Sequence, residues 1–147
     1  DKVDEVTGFF RERKIGRAVA RALAEANVDP GARTDYGASF RDFDRRFGRV
    51  LNRRTTLVIL GDARSNYTDP GYEILRSWKR KVKRIVFLNP EAPIFWGSGD
   101  SVMPRYRALC DVVAECRTPK HLLAVVEALA GRGTPRLSEP PPGLPRF

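Results

Sequence analysis

TTLVILG, residues 55–61, is the short and almost wholly apolar run that decides the fold. Arg53 and Arg54 precede it and Asp62 follows it, so charged residues bound it at both ends. A run of this length, rich in β-branched residues, is typical of a strand buried on both faces of a parallel sheet. RIVFLN, residues 84–89, repeats the pattern and stops at Pro90. We therefore predict two buried strands that lie side by side.

Helical patterns alternate with these strands and complete an order of β, α, β, α, β, α. That order predicts an α/β domain with a mostly parallel sheet and right-handed crossovers. The predicted elements are a helix at 14–26, a helix after Thr34 and Asp35 with an apolar face of Phe40, Phe43, Phe47, Val50 and Leu51, a helix beginning at Asp69 and Pro70, a short helix around 103–109, a third strand at 112–114, and a last helix from Thr118 and Pro119 to Gly131.

The composition indicates the domain organisation and the cellular location of the chain. We predict one domain over residues 1–131 and a proline-rich flexible tail over 132–147. No apolar run approaches the roughly 20 residues that cross a bilayer, and the first residues lack the layout of a signal peptide, so we expect a cytoplasmic protein. Cys110 and Cys116 flank the third predicted strand, which would separate them by about 20 Å, so we expect two reduced thiols.

The chain is basic, with 27 Lys and Arg against 18 Asp and Glu and a formal net charge of +9. An anionic partner, either nucleic acid or an acidic protein face, therefore has to be considered. A basic run from Arg76 to Arg84 contains one aromatic residue, Trp78, but Trp78 falls on the apolar stripe of its helix. We expect Trp78 to be buried and nucleic-acid binding to be the less favoured alternative.

Polar residues gather where the predicted strands end. In open parallel sheets, ligands bind outside the carboxyl ends of the strands. Thr34 and Asp35 start a helix at that edge, Asp62 follows the first strand with Ser65 and Asn66 in its loop, and Asn89 ends the second. Carboxylates, hydroxyls and carbonyls without cysteine or histidine suit Mg²⁺. The alternative is that Thr34 caps a helix and Asp62 closes a loop, and spacing alone leaves both open.

Several motifs resemble one family. They are Leu60-Gly61-Asp62-Ala63-Arg64-Ser65-Asn66-Tyr67, Leu88-Asn89-Pro90-Glu91, Trp96, Gly99-Asp100-Ser101, Met103, Tyr106 and Cys110-Asp111. Together they resemble the C-terminal part of von Willebrand factor A (VWA) domains of the CoxE-like type, over residues 1 to about 131. The resemblance implies a three-layer Rossmann-like fold with helices on both faces of the sheet.

The resemblance also implies a metal-ion-dependent adhesion site. In that family the site combines an Asp-x-Ser-x-Ser strand end, a threonine and an aspartate, and the last two match Thr34 and Asp62, followed by the family's glycine at Gly37. Asp35, Ser65 and Asn66 would then line the partner-binding rim. No Asp-x-Ser-x-Ser occurs in the chain, so we expect the strands that carry it to precede Asp1 and Mg²⁺ or Mn²⁺ to bind only when that segment is supplied.

The function implied by the resemblance is that of a binding module. CoxE-like proteins work beside a MoxR-type AAA+ ATPase in the maturation of a metalloenzyme, and we expect a similar partner and a client enzyme here. An enzyme is the competing class, but His121 is the only histidine and falls in the first turn of a helix, and no phosphate-cradling Gly-x-x-x-x-Gly-Lys loop occurs. We therefore expect no catalytic activity.

Overall fold

The computed structural model describes residues 3–26 and 34–129 of the 147-residue chain. The expected helix and strand order is confirmed. The strands are β1 (Thr56–Leu60), β2 (Arg84–Asn89) and β3 (Val112–Glu115). The helices are α1 (Ile15–Glu25), α2 (Tyr36–Phe47), α3 (Tyr72–Lys81), α4 (Met103–Arg107) and α5 (Pro119–Leu129). Single turns of 3-10 helix span Phe9–Arg11, Gly48–Val50 and Pro93–Phe95.

The three strands form a parallel sheet in the order β1-β2-β3. Leu60 pairs with Leu88 at the carboxyl end of the first ladder, and Val86 pairs with Val112 at the start of the second. Because β2 has a partner on each side, it is the central strand, and every residue from Ile85 to Asn89 is buried. The prediction of a strand buried on both faces is thus confirmed for β2.

Helices cover both faces of this sheet, which gives the predicted three-layer arrangement. On one face, aromatic rings from three helices meet Phe87 of β2. Phe40 of α2 lies 5.1 Å from Trp78 of α3 and 6.0 Å from Tyr106 of α4, measured between ring centroids. On the other face, Val125 of α5 packs with Val86, Leu88 and Ala114. The aromatic stripe of α2 is therefore core, and Trp78 is buried as expected.

Strand β1 departs from the prediction, because it is not buried on both faces. Leu57 and Ile59 pack into the aromatic core, whereas Val58 is 47% exposed and Leu60 is 66% exposed. The helix on that side, α5, packs against β2 and β3. Among the described residues only β2 pairs with β1, so β1 is an edge strand with one apolar face in solvent.

The start of α3 is also later than predicted. Asp69 and Pro70 do not begin the helix; Gly71 is its N-cap, with a φ of 67° that suits glycine. Asp69 shapes the turn instead, since its Oδ1 accepts a hydrogen bond from Gly71 N over 2.9 Å. The helix stop predicted at Gly131 and the predicted tail lie outside the described residues.

Two further expectations concern the cysteines and the membrane. Cys110 and Cys116 are both free thiols, as predicted. In the part of the chain that the structure describes, none of the helices combines the length and the apolar character that a bilayer crossing needs.

Candidate functional site

The loop that follows β1 carries Asp62 to the carboxyl edge of the sheet. Gly61 makes this possible, because a Cβ atom there would come within 2.1 Å of the Tyr36 hydroxyl. With no side chain in the way, that hydroxyl reaches past Gly61 and accepts a hydrogen bond from Ala63 N over 2.9 Å. The first residue of α2 is therefore joined directly to the loop after β1.

The carboxylate of Asp62 is held by one of its two oxygens. Its Oδ1 accepts hydrogen bonds from the Tyr36 hydroxyl at 3.2 Å and from Arg64 N at 3.0 Å. Among residues 3–26 and 34–129, no hydrogen bond reaches Oδ2. Asn89, at the end of β2, donates from Nδ2 to the Asp62 carbonyl over 3.0 Å. Within the described residues, the carboxylate is thus oriented through Oδ1 by α2 and by its own loop, and Oδ2 accepts no hydrogen bond.

Thr34 lies beside this loop, as the resemblance implies. Asn66 donates from Nδ2 to the Thr34 carbonyl over 2.9 Å, which ties the loop to the start of α2. The N-cap of α2 is Asp35, whose Oδ1 accepts from Ala38 N over 2.8 Å. The alternative interpretation, in which Thr34 caps this helix, is therefore wrong. Thr34 is exposed.

Thr34 and Asp62 also line one open cleft. Its volume is about 610 Å³, and it runs from these two residues along β1 towards the amino end of the strand. The walls are mostly apolar, with Ile59 on the strand side and Phe40 and Phe43 on the helix side. The cleft therefore has an oxygen-bearing mouth at the strand end and an apolar floor along the open edge of β1.

The loop backbone is strained in a way that is uncommon outside functional sites. Ala63, Asn66 and Tyr67 have φ values of 58°, 50° and 60°, in the left-handed region that non-glycine residues seldom enter. Such conformations cost roughly 1–3 kcal/mol each and persist only where surrounding contacts enforce them. Three of them within five residues indicate that surrounding contacts hold the loop in one conformation.

Arg64 supplies much of that enforcement. Its guanidinium forms a two-pronged ion pair with Glu91, with Nε–Oε1 and Nη2–Oε2 distances of 2.8 and 3.0 Å. The third nitrogen, Nη1, lies 3.1 Å from Asp100 Oδ1. Glu91 and Asp100 lie at the two ends of the connection between β2 and α4, so one side chain holds this connection against the loop after β1. We call Arg64, Glu91 and Asp100 the loop latch.

Asp100 completes the latch from the other side. Its Oδ2 accepts from Asn66 N over 2.8 Å, and its carbonyl accepts from both the amide and the hydroxyl of Ser65, each at 3.1 Å. The amide of Asn66 and the guanidinium of Arg64 lower the pKa of the Asp100 carboxyl, and the two carboxylates raise the pKa of Arg64. Ser65 is buried beneath the loop, whereas Asn66 is on its surface.

Exposed apolar side chains surround this edge of the sheet. Tyr67 in the β1 loop is 88% exposed, and Ile94 and Phe95, in the 3-10 turn after β2, are 76% and 53% exposed. Large exposed apolar residues that lie on loops held in a fixed shape are typical of protein-binding surfaces. The strand ends thus combine polar oxygens with an apolar rim.

Comparison with known proteins identifies the family. Residues 1–126 match the family described as "VWA domain containing CoxE-like protein". The chain belongs to this CoxE-like VWA family. Neither a curated protein nor a solved structure matches the chain. The match confirms the sequence resemblance, and the parallel sheet covered by helices on both faces is consistent with a VWA domain.

The motifs that carried the resemblance have structural roles in the CoxE-like domain that sequence reasoning did not assign. Glu91 and Asp100 belong to the loop latch. Tyr106 donates its hydroxyl hydrogen to the Pro70 carbonyl over 2.5 Å, and Asp111 accepts from Ile85 N over 2.7 Å at the start of β2. Gly37 has no room for a side chain, because a Cβ there would lie 2.3 Å from the Asp69 carbonyl.

The donor set of the CoxE-like domain fits a hard cation only in part. Thr34 and Asp62 offer a hydroxyl and a carboxylate oxygen at one mouth, which is the oxygen chemistry that Mg²⁺ prefers. The described residues hold no group of three or more His, Cys, Asp or Glu placed to bind an ion. A six-coordinate ion would therefore need further oxygens from a segment with Asp-x-Ser-x-Ser, from water or from a partner.

Proposed function

We propose that this CoxE-like VWA domain is a non-enzymatic protein-binding module that docks a partner at the carboxyl ends of its strands through a divalent cation. Thr34 and Asp62 would hold Mg²⁺ or Mn²⁺ there, and Asp35 and Asn66 would line the rim, while the buried Ser65 would hold the loop beneath it. The bound ion would supply positive charge for a carboxylate of the partner.

The available oxygen of Asp62 carries this proposal. Tyr36 and Arg64 engage Oδ1 only, so the carboxylate is oriented without being consumed by the loop. A carboxylate that merely closed a turn would need no contact from a second element. The Tyr36 hydroxyl provides that contact, and a missing Cβ at Gly61 makes room for it.

The open edge of β1 supports a role for an additional strand. Gly61 N donates to Leu88 O, so in a parallel ladder the odd-numbered residues of β1 face β2. Thr56, Val58 and Leu60 therefore turn their backbone N–H and C=O groups towards the free edge. A strand pairing there in parallel would end beside Asp62, where an Asp-x-Ser-x-Ser sequence would add the oxygens that the mouth lacks.

The proposal assigns no catalytic residue. Burial raises the pKa of the Cys110 thiol to about 12, so it is a poor nucleophile at neutral pH. The imidazole Nδ1 of His121 lies 3.4 Å from Arg117 N, which places it in the cap region of α5. These contacts support a structural role for His121.

The partner that we propose is a MoxR-type AAA+ ATPase, with a metalloenzyme as client and the cytoplasm as the setting. The exposed Tyr67, Ile94 and Phe95 would supply apolar contact area around the shared ion. A carboxylate on the partner would complete the coordination shell.

Calorimetric titration with Mg²⁺ and Mn²⁺ tests the metal. The 147-residue chain is compared with an extended form, in which a VWA segment that carries Asp-x-Ser-x-Ser is joined to its amino end. We expect heat from the extended form, and loss of that heat in Asp62→Asn, which keeps the hydrogen-bond acceptor but removes the charge. Asp69→Asn, which removes a nearby exposed carboxylate, should leave the heat unchanged.

A second measurement tests the partner. Binding of the MoxR-type ATPase to the extended form is measured in Mg²⁺ and in EDTA, with Asp62→Asn and Asp69→Asn as the variants. Equal binding under all conditions would sink the metal-dependent docking. If the titration shows cation binding but the ATPase does not bind, the cation site is supported and the proposed partner is wrong.

A further inference from the structure

The opposite end of the sheet carries a second surface that is unrelated to the metal proposal. The strands β1 and β2 begin there, and the helices α2 and α3 end there. Six basic residues lie in the 3-10 turn after α2, in the turn before β1, at the last residue of α3 and at the start of β2. They form what we call the amino-end basic surface: Arg49, Arg53, Arg54, Lys81, Lys83 and Arg84.

The contacts of the backbone bring these segments together. Lys83 N donates to Thr55 O over 2.9 Å, and Thr56 is the ladder partner of Arg84, so the turn before β1 lies against the turn before β2. The Thr55 hydroxyl donates to the Val50 carbonyl, which places the 3-10 turn of Arg49 alongside. Residues more than 25 positions apart in the chain thus share one edge.

Most of the basic residues of this surface have no ion-pair partner within the described residues, whereas Arg84 interacts electrostatically with Asp111 at the start of β2. Lys81 makes a long ion pair of 3.8 Å with Asp44, and none of the other five basic residues has an ion-pair partner in residues 3–26 and 34–129. Five of the six side chains belong to exposed residues. Basic residues in the last turn of a helix can be explained by the helix dipole, but Arg53, Arg54 and Lys83 lie outside the helices.

The local structure favours an acidic protein segment over nucleic acid. The helices at this end arrive with their C-termini, so any anion would have to be bound by the basic side chains and not by helix amides. Trp78 is 2% exposed and its indole nitrogen donates to Asp44 over 2.7 Å, so it offers no ring on which bases could stack. Guanidinium groups make paired contacts with carboxylates and with phosphates alike, so duplex DNA is the competing ligand that the test must include.

We propose that the amino-end basic surface binds an acidic segment of a partner protein. It lies at the other end of the strands from Thr34 and Asp62 and contains none of the oxygen donors of that site. Binding here should therefore be independent of divalent cations, which separates its test from the test of the proposed function.

The experiment measures the affinity of the full chain for a fluorescent oligoglutamate peptide and for duplex DNA of equal charge, in EDTA at about 0.15 M salt. The test variant carries Arg53→Glu, Arg54→Glu and Lys83→Glu. The matched control carries Arg13→Glu, Lys14→Glu and Arg17→Glu, which are exposed positions at α1 with the same change in net charge. The neutral variant Arg53→Gln, Arg54→Gln and Lys83→Gln repeats the test with less electrostatic disturbance of the fold.

We expect the test variant to weaken peptide binding by about tenfold or more and the control to change it by less than about threefold. The neutral variant should show an intermediate loss, with far-ultraviolet circular dichroism unchanged. Equal losses in the test and control variants would overturn the proposal, because the binding would then follow net charge alone. Tighter binding of duplex DNA than of the peptide would overturn the choice of an acidic protein partner.

Discussion

Arg64 and Asp100 are 36 residues apart in the chain, yet their side chains are joined at 3.1 Å and hold the strained loop after β1 against the loop before α4. Glu91 engages the remaining guanidinium nitrogens. The three charged groups of the latch are less than one-third exposed, so water screens them less than it does an ordinary surface pair.

Removing the Arg64 charge should loosen the loop before it unfolds the domain. In Arg64→Met, the aliphatic stem remains but Glu91 and Asp100 lose their shared partner. We expect the amides of Ser65 and Asn66, which donate to Asp100, to exchange hydrogen at least about tenfold faster, as measured by native-state exchange. Arg76→Met removes an exposed pair with Glu73 and should leave those amides unchanged. Unaltered exchange in Arg64→Met would show that the latch does not hold the loop.

The latch should weaken in acid. Hydrogen bonding by Asn66 N and pairing with Arg64 lower the pKa of Asp100 in the folded state, relative to about 3.9 for an unfolded aspartate. Its stabilising contribution is therefore present above about pH 3.9 and is lost as the pH falls through the lower folded pKa. We expect the urea midpoints of the native protein and of Asp100→Asn to differ at pH 6 and to converge in this acid range. Glu5→Gln, which removes an exposed carboxylate, should show no such convergence.

The two faces of β1 should respond very differently to substitution. Phe40 is 7% exposed in the aromatic core beneath Leu57 and Ile59, so Phe40→Ala should cost about 3–5 kcal/mol of unfolding free energy. Val58 lies on the open face, and Val58→Thr keeps the β-branched shape, so its effect should stay within about 0.5 kcal/mol. Denaturant unfolding measures both. A large loss in Val58→Thr would mean that this face is covered in solution.

The free edge of β1 should promote self-association of the 147-residue chain. Unpaired strand edges beside exposed apolar residues pair readily with other chains, and lysines on the edge oppose this pairing. We expect Val58→Lys with Leu60→Lys to remain monomeric at concentrations where the native chain associates, by sedimentation velocity. Leu122→Lys with Leu123→Lys adds the same charge to exposed residues of α5. If both pairs suppress association equally, the edge of β1 is not its cause.

Local sequence patterns predicted the elements well, because strand and helix formation here depends on neighbouring residues. The bounds of β2 match the predicted 84–89 run, and the helix start at Asp35 follows from a side chain that caps its own helix. The burial of β1 could not be predicted from the local sequence in the same way. An apolar run has the same appearance whether one or two layers cover it, and α5 covers only the neighbouring strands.

The site was predictable only in outline. The position of Asp62 at a strand end follows from strand order alone, and the left-handed Asn66 is at least a residue type that tolerates that conformation. The latch joins residues 27 and 36 positions apart, and no spacing rule links such a trio. Because Ser65 is polar, we predicted it at the surface. Its hydroxyl instead donates a hydrogen bond to the Asp100 carbonyl beneath the loop.

The parallel strands also give the domain an electrical polarity. Cations such as Arg53 and Lys83 collect where the strands begin, whereas carboxylates such as Asp62 and Asp100 collect where they end. The electrostatic field of the domain should therefore steer a diffusing charged molecule, so that it approaches one end of the sheet in preference to the other. We therefore expect the two ends of the sheet to favour ligands of opposite charge.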